Sequence, residues 1–389
     1  MVRRVVCVAP LLVGLLVFAG CTLLAPAQPT LDFEASSVDG TTPFVVLFTP
    51  TADVRFTLFE WSFGDGETSN ERQPVHIYRA AGSYTITVSA SDAAGETIAA
   101  RKADYVLVTE GATEAGALYW VAVTGQLFQA ARDGTSYGPA GLNVPASSVL
   151  AIDDAFLYWG VEPTGMLHSA PIGGAQPHTV LKGIRGLGGL AVDSDAGKIY
   201  WTTRPASAGC CGRRYDGTVK RANVDGSGVE TMASFVPDAT HMPNHIALDP
   251  VSRTLYWEMV PNPWSARPLD GECLGELWGA DLDDFQAEKL LDGICPSNGM
   301  ALDTLDVVGA QNVYLSLDSG AILRCSLDDP TDREVIVEGI DDLLSLGVDR
   351  LEDNAYFISG AGIERIRLDG TSRRVLYDFG NPVELILAP

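Results

Sequence analysis

The sequence predicts an all-β protein in two unequal parts, a two-sheet sandwich over residues 30–110 and a six-bladed propeller over residues 116–389 that the C-terminal strand closes. Three observations lead there. Apolar and polar side chains alternate in short stretches bounded by turn residues, at Phe59, Trp61 and Phe63 and again at Tyr84, Ile86, Val88 and Ala90. An aromatic pair recurs six times in the longer part. The 389 residues include 40 Gly and 22 Pro and are 46% apolar, which describes a globular chain with many turns and excludes a disordered or polytopic membrane protein. With 26 Lys plus Arg against 50 Asp plus Glu, the formal charge of −24 repels phosphate backbones and removes nucleic acid from the expected partners.

The chain opens with an address. Residues 1–20 carry Arg3 and Arg4, an apolar run and small residues before Cys21, the order of regions in an export signal. Val17-Phe18-Ala19-Gly20-Cys21 resembles the bacterial lipobox, which implies cleavage before Cys21 and lipidation of its thiol. Thr22 in the place after the cysteine, where Asp would retain such a protein, implies sorting to the outer membrane. The expected location is therefore the bacterial cell envelope, lipid-anchored, on its periplasmic or cell-surface side. Residues 21–29 then form a short tether, and lipid is the expected membrane anchor.

Over residues 30–110 the two half-buried strands and regular turns predict the sandwich. Trp61-Ser62-Phe63-Gly64-Asp65-Gly66, His76, Tyr78, Gly82, Tyr84, Val88 and Asp92 resemble the PKD domain, an immunoglobulin-like module. The resemblance implies a spacer or contact surface. Asp65, between two glycines, is expected to satisfy backbone N–H groups of its turn rather than to bind metal, and His76 to be a packed side chain.

From residue 116 the aromatic pairs stand at Tyr119-Trp120, Tyr158-Trp159, Tyr200-Trp201 and Tyr256-Trp257, then as Tyr314-Leu315 and Tyr356-Phe357, at intervals of 39, 42, 56, 58 and 42 residues. A small-apolar-Asp strand end precedes five of them, at Asp153, Asp193, Asp249, Asp303 and Asp349. A glycine opens the following strand at Gly125, Gly165, Gly217, Gly275, Gly320 and Gly362. Four strands in each unit of about 40 to 45 residues make a propeller blade. The first pair lacks an inner strand ahead of it, and Val383–Leu387 has no blade of its own, so the C-terminus is expected to complete blade 1 and remove two unpaired edges. These repeats resemble the YWTD repeats of low-density-lipoprotein-receptor propellers, best over 190–202 and 246–258, although the motif's fourth member, Asp, is absent after Trp201 and Trp257, where Thr202-Thr203 and Glu258-Met259 stand. The aromatic pairs read as core, because packing needs six copies and chemistry needs one site.

The long intervals place inserts at 204–216 and about 259–274, between second and third strands of adjacent blades, on the face where blade-to-blade loops also open. Candidate ligand-binding residues there are Arg213, Arg214, Tyr215, Trp264 and Arg267, with His241, Asn244 and His245 in one blade-to-blade loop and Asn298 in the next. Guanidinium and aromatic groups in an acidic chain suit an envelope protein or a cell-wall or extracellular glycan. No catalytic residues, resident metal or cofactor are expected, since no Ser-His-Asp, phosphate-loop or nucleotide signature occurs and Pro243 breaks the helix that would put His241 and His245 on one zinc. The alternative is a metal-dependent propeller hydrolase. Asn244, Asn298 and the segment 314–318 resemble the regucalcin and gluconolactonase type, which implies a divalent cation in the central channel; Leu344 and Gly188 stand at the other equivalent positions.

Without Cys7 and Cys21, five cysteines remain, an odd number for an exported chain. Repeat alignment puts Cys325 where other blades carry Ala130, Ala170, Ala222 and Ala280, so it is expected to be buried and reduced. Cys210, Cys211, Cys273 and Cys295 lie in loops of the decorated face and are the disulfide candidates. Each of Cys210 and Cys211 is expected to pair with one of Cys273 and Cys295, because a bridge between sequence neighbours strains the intervening peptide.

Overall fold

The computed structural model describes residues 30–388 except 42–43, 53–55, 110–116, 154, 173–175, 205, 209–212, 236–239, 262–272, 306–308, 330 and 379–380. The export segment and Cys21 therefore lie outside the described residues, as do Cys210, Cys211, Trp264 and Arg267. Every regular element among the described residues is a strand. The chain divides into two units, Met1–Glu110 and Gly111–Pro389.

In the first unit Leu31–Ala35, Phe44–Ala52 and Val75–Tyr78 form a three-stranded sheet. A second sheet orders Asp39–Thr41, Thr97–Thr109, Gly82–Asp92, Phe56–Ser62 and Thr68–Ser69, with its first pair parallel. The alternation is visible as burial. Phe59, Trp61, Tyr84, Ile86, Val88 and Ala90 join Phe33, Val46, Phe48 and Tyr78 in one core. Trp61 packs edge-on against Phe33 with centroids 5.4 Å apart, and its indole N–H donates to Glu71 O at 3.0 Å, so the largest buried ring leaves no polar atom unpaired. Asp65 accepts the N–H of Glu67 at 3.0 Å, as the turn requires, and lies 2.6 Å from His76 Nε2. His76 is buried and stacks on Phe63 at 4.1 Å. Asp92 closes the next hairpin by accepting the N–H groups of Ala94 and Glu96.

The second unit is six antiparallel four-stranded blades whose inner strands touch in a ring. In sequence, blade 2 runs through Ser148–Ile152, Phe156–Val161, Met166–Pro171 and His178–Lys182; blade 3 through Leu187–Asp193, Lys198–Thr203, Gly217–Asn223 and Glu230–Phe235. Blade 4 comprises His241–Asp249, Thr254–Pro261, Gly275–Asp281 and Ala287–Ile294, and blade 5 Ser297–Leu302, Asn312–Leu317, Ala321–Ser326 and Arg333–Val337. Blade 6 is Leu346–Asp349, Asn354–Ser359, Gly362–Arg367 and Arg374–Tyr377. Blade 1 takes Ala117–Ala122, Gln126–Ala131 and Tyr137–Asn143 from the start of the unit and Pro382–Leu387 from the end of the chain. That last strand pairs antiparallel with Ala117–Ala122, Leu385 opposite Trp120 and Ile386 opposite Tyr119. Arg132 of blade 1 reinforces the closure, donating to Asp349 of blade 6 at 2.8 Å and to the carbonyl of Ala388.

Period two explains why each repeat carries two aromatics rather than one. Neighbouring residues of a strand point to opposite faces, so the tyrosine faces the following blade and its neighbour the preceding one. Tyr119 shares a core with Trp159, Tyr158 with Trp201, and Tyr200 with Trp257. Tyr256 likewise meets Leu315, Tyr314 meets Phe357, and Tyr356 meets Trp120 across the closure. Six interfaces thus repeat one joint. Each ring buried in this way contributes about 1.5–3 kcal/mol relative to exposure. The aspartates at the inner strand ends cap the turn that follows, and in three blades reach the next one: Asp249 accepts the N–H of Ala310, Asp303 pairs with Arg350, and Asp349 with Arg132. Gly165 and Gly320 show why glycine opens the third strand, for both have positive φ and an added Cβ would sit 2.3 Å from the carbonyl of Ile184 or Ile340. Cys325 is fully buried and reduced.

Candidate ligand-binding face

In a four-stranded antiparallel blade, second strands end, third strands begin and outer strands hand over to the next blade at one end. Both long inserts lie there, whereas the longer connection from Leu302 to Asn312 in blade 5 is at the other end. In blade 3 the insert forms its own two-stranded hairpin, Ala206–Ala208 against Arg213–Tyr215, which places the backbone of Arg213, Arg214 and Tyr215 on this face. In blade 4 the second strand runs on to Pro261, and His241, Met242 and Pro243 pair with Pro261, Val260 and Met259. The segment expected as a blade-to-blade loop is therefore an extended inner strand: the longer neighbour supplies hydrogen-bonding partners that the other blades lack. His241 Nε2 lies 2.7 Å from Leu274 O.

The cysteine pairing differs from the expectation as well. Cys273 is bonded to Cys295 rather than to Cys210 or Cys211. The reason is sheet register. Gly275 opposes Ile294 where the third strand of blade 4 starts and its outer strand ends, so the residues flanking that pair are already neighbours. The bridge ties the end of the second insert to the start of blade 5 instead of joining the two inserts.

Beneath this face a polar cluster forms around a bulge. Pro243 opposes Met259 and Ile246 opposes Trp257, so Asn244 and His245 together face the single residue Glu258. Glu258 is fully buried; its Oε2 accepts from Asn244 Nδ2 at 3.0 Å and from His245 Nδ1 at 2.9 Å, while Oε1 has no hydrogen-bond partner among the described residues. Arg204 holds Asn244 from the other side, its Nε and Nη2 donating to Oδ1 at 3.1 and 2.7 Å. Asn244 thus spends its amide inside the wall as a link between Arg204 and Glu258. Ser297 Oγ lies 3.3 Å from His245 Nδ1, the nitrogen that faces Glu258. A serine, a histidine and a glutamate meet here, but both partners address one ring nitrogen, so the relay in which imidazole passes a serine proton away from its carboxylate is not assembled.

His245 turns its other edge to the central channel, a cavity of about 310 Å³ lined by the inner strands. By register, Glu384 of blade 1, Val149, Gly189, His245, Gly299 and Ser345 occupy one level of the channel, so Glu384 stands across the ring from His245. Ser345 Oγ reaches Glu384 Oε1 at 3.4 Å. Burial pushes the Glu384 carboxyl up to about 8, against the smaller opposing effect of the Ser345 hydrogen bond. Asn298 lines the channel and donates to Leu343 O at 2.9 Å, whereas Asn244, its equivalent in blade 4, does not reach the lumen. Among the described residues no three His, Cys, Asp or Glu side chains converge as a cation would need.

Of the residues singled out in the sequence, the structure unites Asn244 and His245, leaves His241 on the strand extension and puts Asn298 in the channel. Arg204, Glu258, Ser297, Ser345 and Glu384 were missed. Glu258 carried a signal, since it stands in the place after the aromatic pair where a YWTD repeat has Thr.

Residues 25–108 match the PKD domain model. The chain is 27% identical over 203 residues to low-density lipoprotein receptor-related protein 1 of Pyricularia oryzae, a match that takes in 50% of this chain and 63% of that protein, so the chain spans less than two thirds of that relative's length. Among solved structures it resembles the chain in a crystal structure of a nidogen/laminin complex, with TM-score 0.55, 17% identity, and 70% of this chain and 98% of that one covered. TolB from Acinetobacter baumannii aligns with TM-score 0.52, 12% identity, and 80% and 81% covered. At these identities the structural likeness speaks for fold alone. The chain thus carries a PKD domain ahead of a six-bladed propeller that is similar in sequence to part of a low-density lipoprotein receptor-related protein.

Proposed function

We propose that this chain is a non-enzymatic binding protein of the bacterial envelope, lipid-anchored through Cys21, whose propeller meets an envelope protein or a cell-wall or extracellular glycan with its insert-bearing face. The observation that carries this reading is the meeting of four structural departures at one end of the blades: the extra hairpin, the extended strand of blade 4, the Cys273–Cys295 bridge and the Arg204–Asn244–Glu258–His245 cluster. The other end carries Asp-Gly turns at Asp225 and Asp369, and one longer connection, from Leu302 to Asn312 in blade 5. A bridge that fixes loop ends preorganises the surface they form and lowers the ordering cost of association. The protein interaction implied by a low-density-lipoprotein-receptor-related relative and by a propeller solved with laminin points the same way.

The test compares binding to outer-membrane proteins and to a cell-wall glycan array for the mature protein, Arg204→Ala and Asp369→Ala. The expected result is a partner whose binding falls with Arg204→Ala and survives Asp369→Ala. A partner lost with Asp369→Ala and kept with Arg204→Ala would place the contact on the opposite face and refute the reading.

A further inference from the structure

The blade 2–blade 3 joint differs from the other five. In each blade one residue of the third strand stands opposite the second member of the aromatic pair and covers its outer side. Phe128 stacks on Trp120 at 5.4 Å, His168 on Trp159 at 5.5 Å and Trp278 on Trp257 at 6.4 Å. Leu323 opposes Leu315, and in blade 6 Glu364 opposes Phe357 while its partner Arg373 lies over that ring. Blade 3 has Lys220 opposite Trp201. Blades 5 and 6 also lack a ring there, but only in blade 3 is the place held by a cation without an ion-pair partner, and a cleft of about 400 Å³ opens between blades 2 and 3. Its walls bring Lys182, Arg185 and Lys220 together with one acid, Asp216, on a chain in which acidic residues outnumber basic ones nearly two to one. Among the described residues neither Lys182 nor Lys220 has an ion-pair partner.

Two ammonium groups without ion-pair partners, gathered near a guanidinium and a single carboxylate, leave a net positive potential in the cleft that favours an anionic group. Beside Thr203 and Thr218, the wall has an apolar part formed by Leu181, Ile184 and the half-exposed Val229. The one aromatic lining the cleft, Trp201, is 2% exposed and offers no face on which a sugar ring could stack. The cleft opens at the same end of the blades as the inserts, since Thr203 and Asp216 flank the hairpin at 206–215.

We propose that this cleft docks an acidic segment of a partner protein, with carboxylates among Lys182, Arg185 and Lys220 and an apolar side chain against Leu181, Ile184 and Val229. The proposal rests on the reading that the propeller is a binding protein and names the chemistry of its partner.

The probe is a fluorescein-labelled octapeptide alternating Glu and Leu, followed by anisotropy with the mature protein. Binding is expected to weaken as salt shortens the reach of the charges and to fall about tenfold with Lys182→Gln or Lys220→Gln. Lys289→Gln, on the outer part of blade 4, is expected to change nothing. Lys182 is exposed at a strand end, so its variant keeps the test valid if Lys220→Gln disturbs packing on Trp201. Equal binding of a Gln-Leu peptide, indifference to both lysine variants, or lysine-dependent binding of polyuronate or anionic vesicles in preference to the peptide would overturn the proposal. If the peptide fails while Arg204→Ala still abolishes binding of an envelope partner, only this inference falls.

Discussion

Removing residues 382–389 tests the closure directly. The strand they form supplies blade 1 with its inner edge, and its loss uncovers Tyr119 and Trp120, 5% and 0% exposed in the closed ring. Leu385 is buried, and Val383, Ile386 and Leu387 pack partly against the joints of blade 1 with blades 2 and 6. One full and three partial apolar burials amount to about 5 kcal/mol at 1.5–3 kcal/mol for a complete one. Arg132 also loses the Ala388 carbonyl and Ser345 the backbone of Leu385. Against a total stability of about 5–15 kcal/mol, that is a large fraction, and at about 2–4 °C per kcal/mol for a domain of this size the melting temperature is expected to drop by about 10–20 °C. Circular dichroism or calorimetry of the truncated and intact chains measures it, with Leu385→Ala expected to lose about 2–5 kcal/mol by itself. A truncated chain that melts within a degree or two of the intact one would mean that the ring does not depend on this strand, and the reasoning from unpaired edges would be wrong.

Glu384 gives a pH signature: its carboxyl holds a proton up to about 8 in the folded chain but releases it near the ordinary 4.5 when unfolded, so its stabilising contribution is complete below about 4.5 and is lost as pH rises through 8. Melting temperatures between those limits are expected to fall with pH more steeply for the native chain than for Glu384→Gln, and parallel profiles would contradict the burial argument. Non-reducing peptide mapping is expected to recover Cys273 joined to Cys295, and Cys325, whose thiol burial pushes up, to resist alkylation until the chain unfolds. Cys21→Ser is expected to release the protein from membranes into the soluble fraction; retention of that variant would refute lipid anchoring.

Repetition made most of the fold legible. Six aromatic pairs, five strand-end aspartates and six glycines are local features with a period, and a period in sequence becomes rotation about an axis when each unit must bury its faces against the next. The buried thiol of Cys325 could be read the same way, by counting from Gly320. The turn role of Asp65 was legible because a carboxylate between two glycines meets the N–H of Glu67 within its own turn, whereas its contact with His76 was not. The bridge between Cys273 and Cys295 was not, because choosing among loop cysteines requires knowing which strand ends lie side by side, and that follows from the Gly275–Ile294 register.

What the sequence determined by itself is what each residue does with neighbours along the chain or at the same place in the next repeat: strand alternation, turn chemistry, blade number and the need of the last strand for a partner. Only the tertiary structure decided that Glu258 lies under Asn244 and His245, that Glu384 faces the channel across from His245, and that Lys182, Arg185 and Lys220 meet. The first group sits at an irregularity within one blade and the other two join strands of different blades, and no period links them. They become neighbours because a bulge, a closing strand and a missing ring shift single side chains, and such displacements follow from the packing of whole blades.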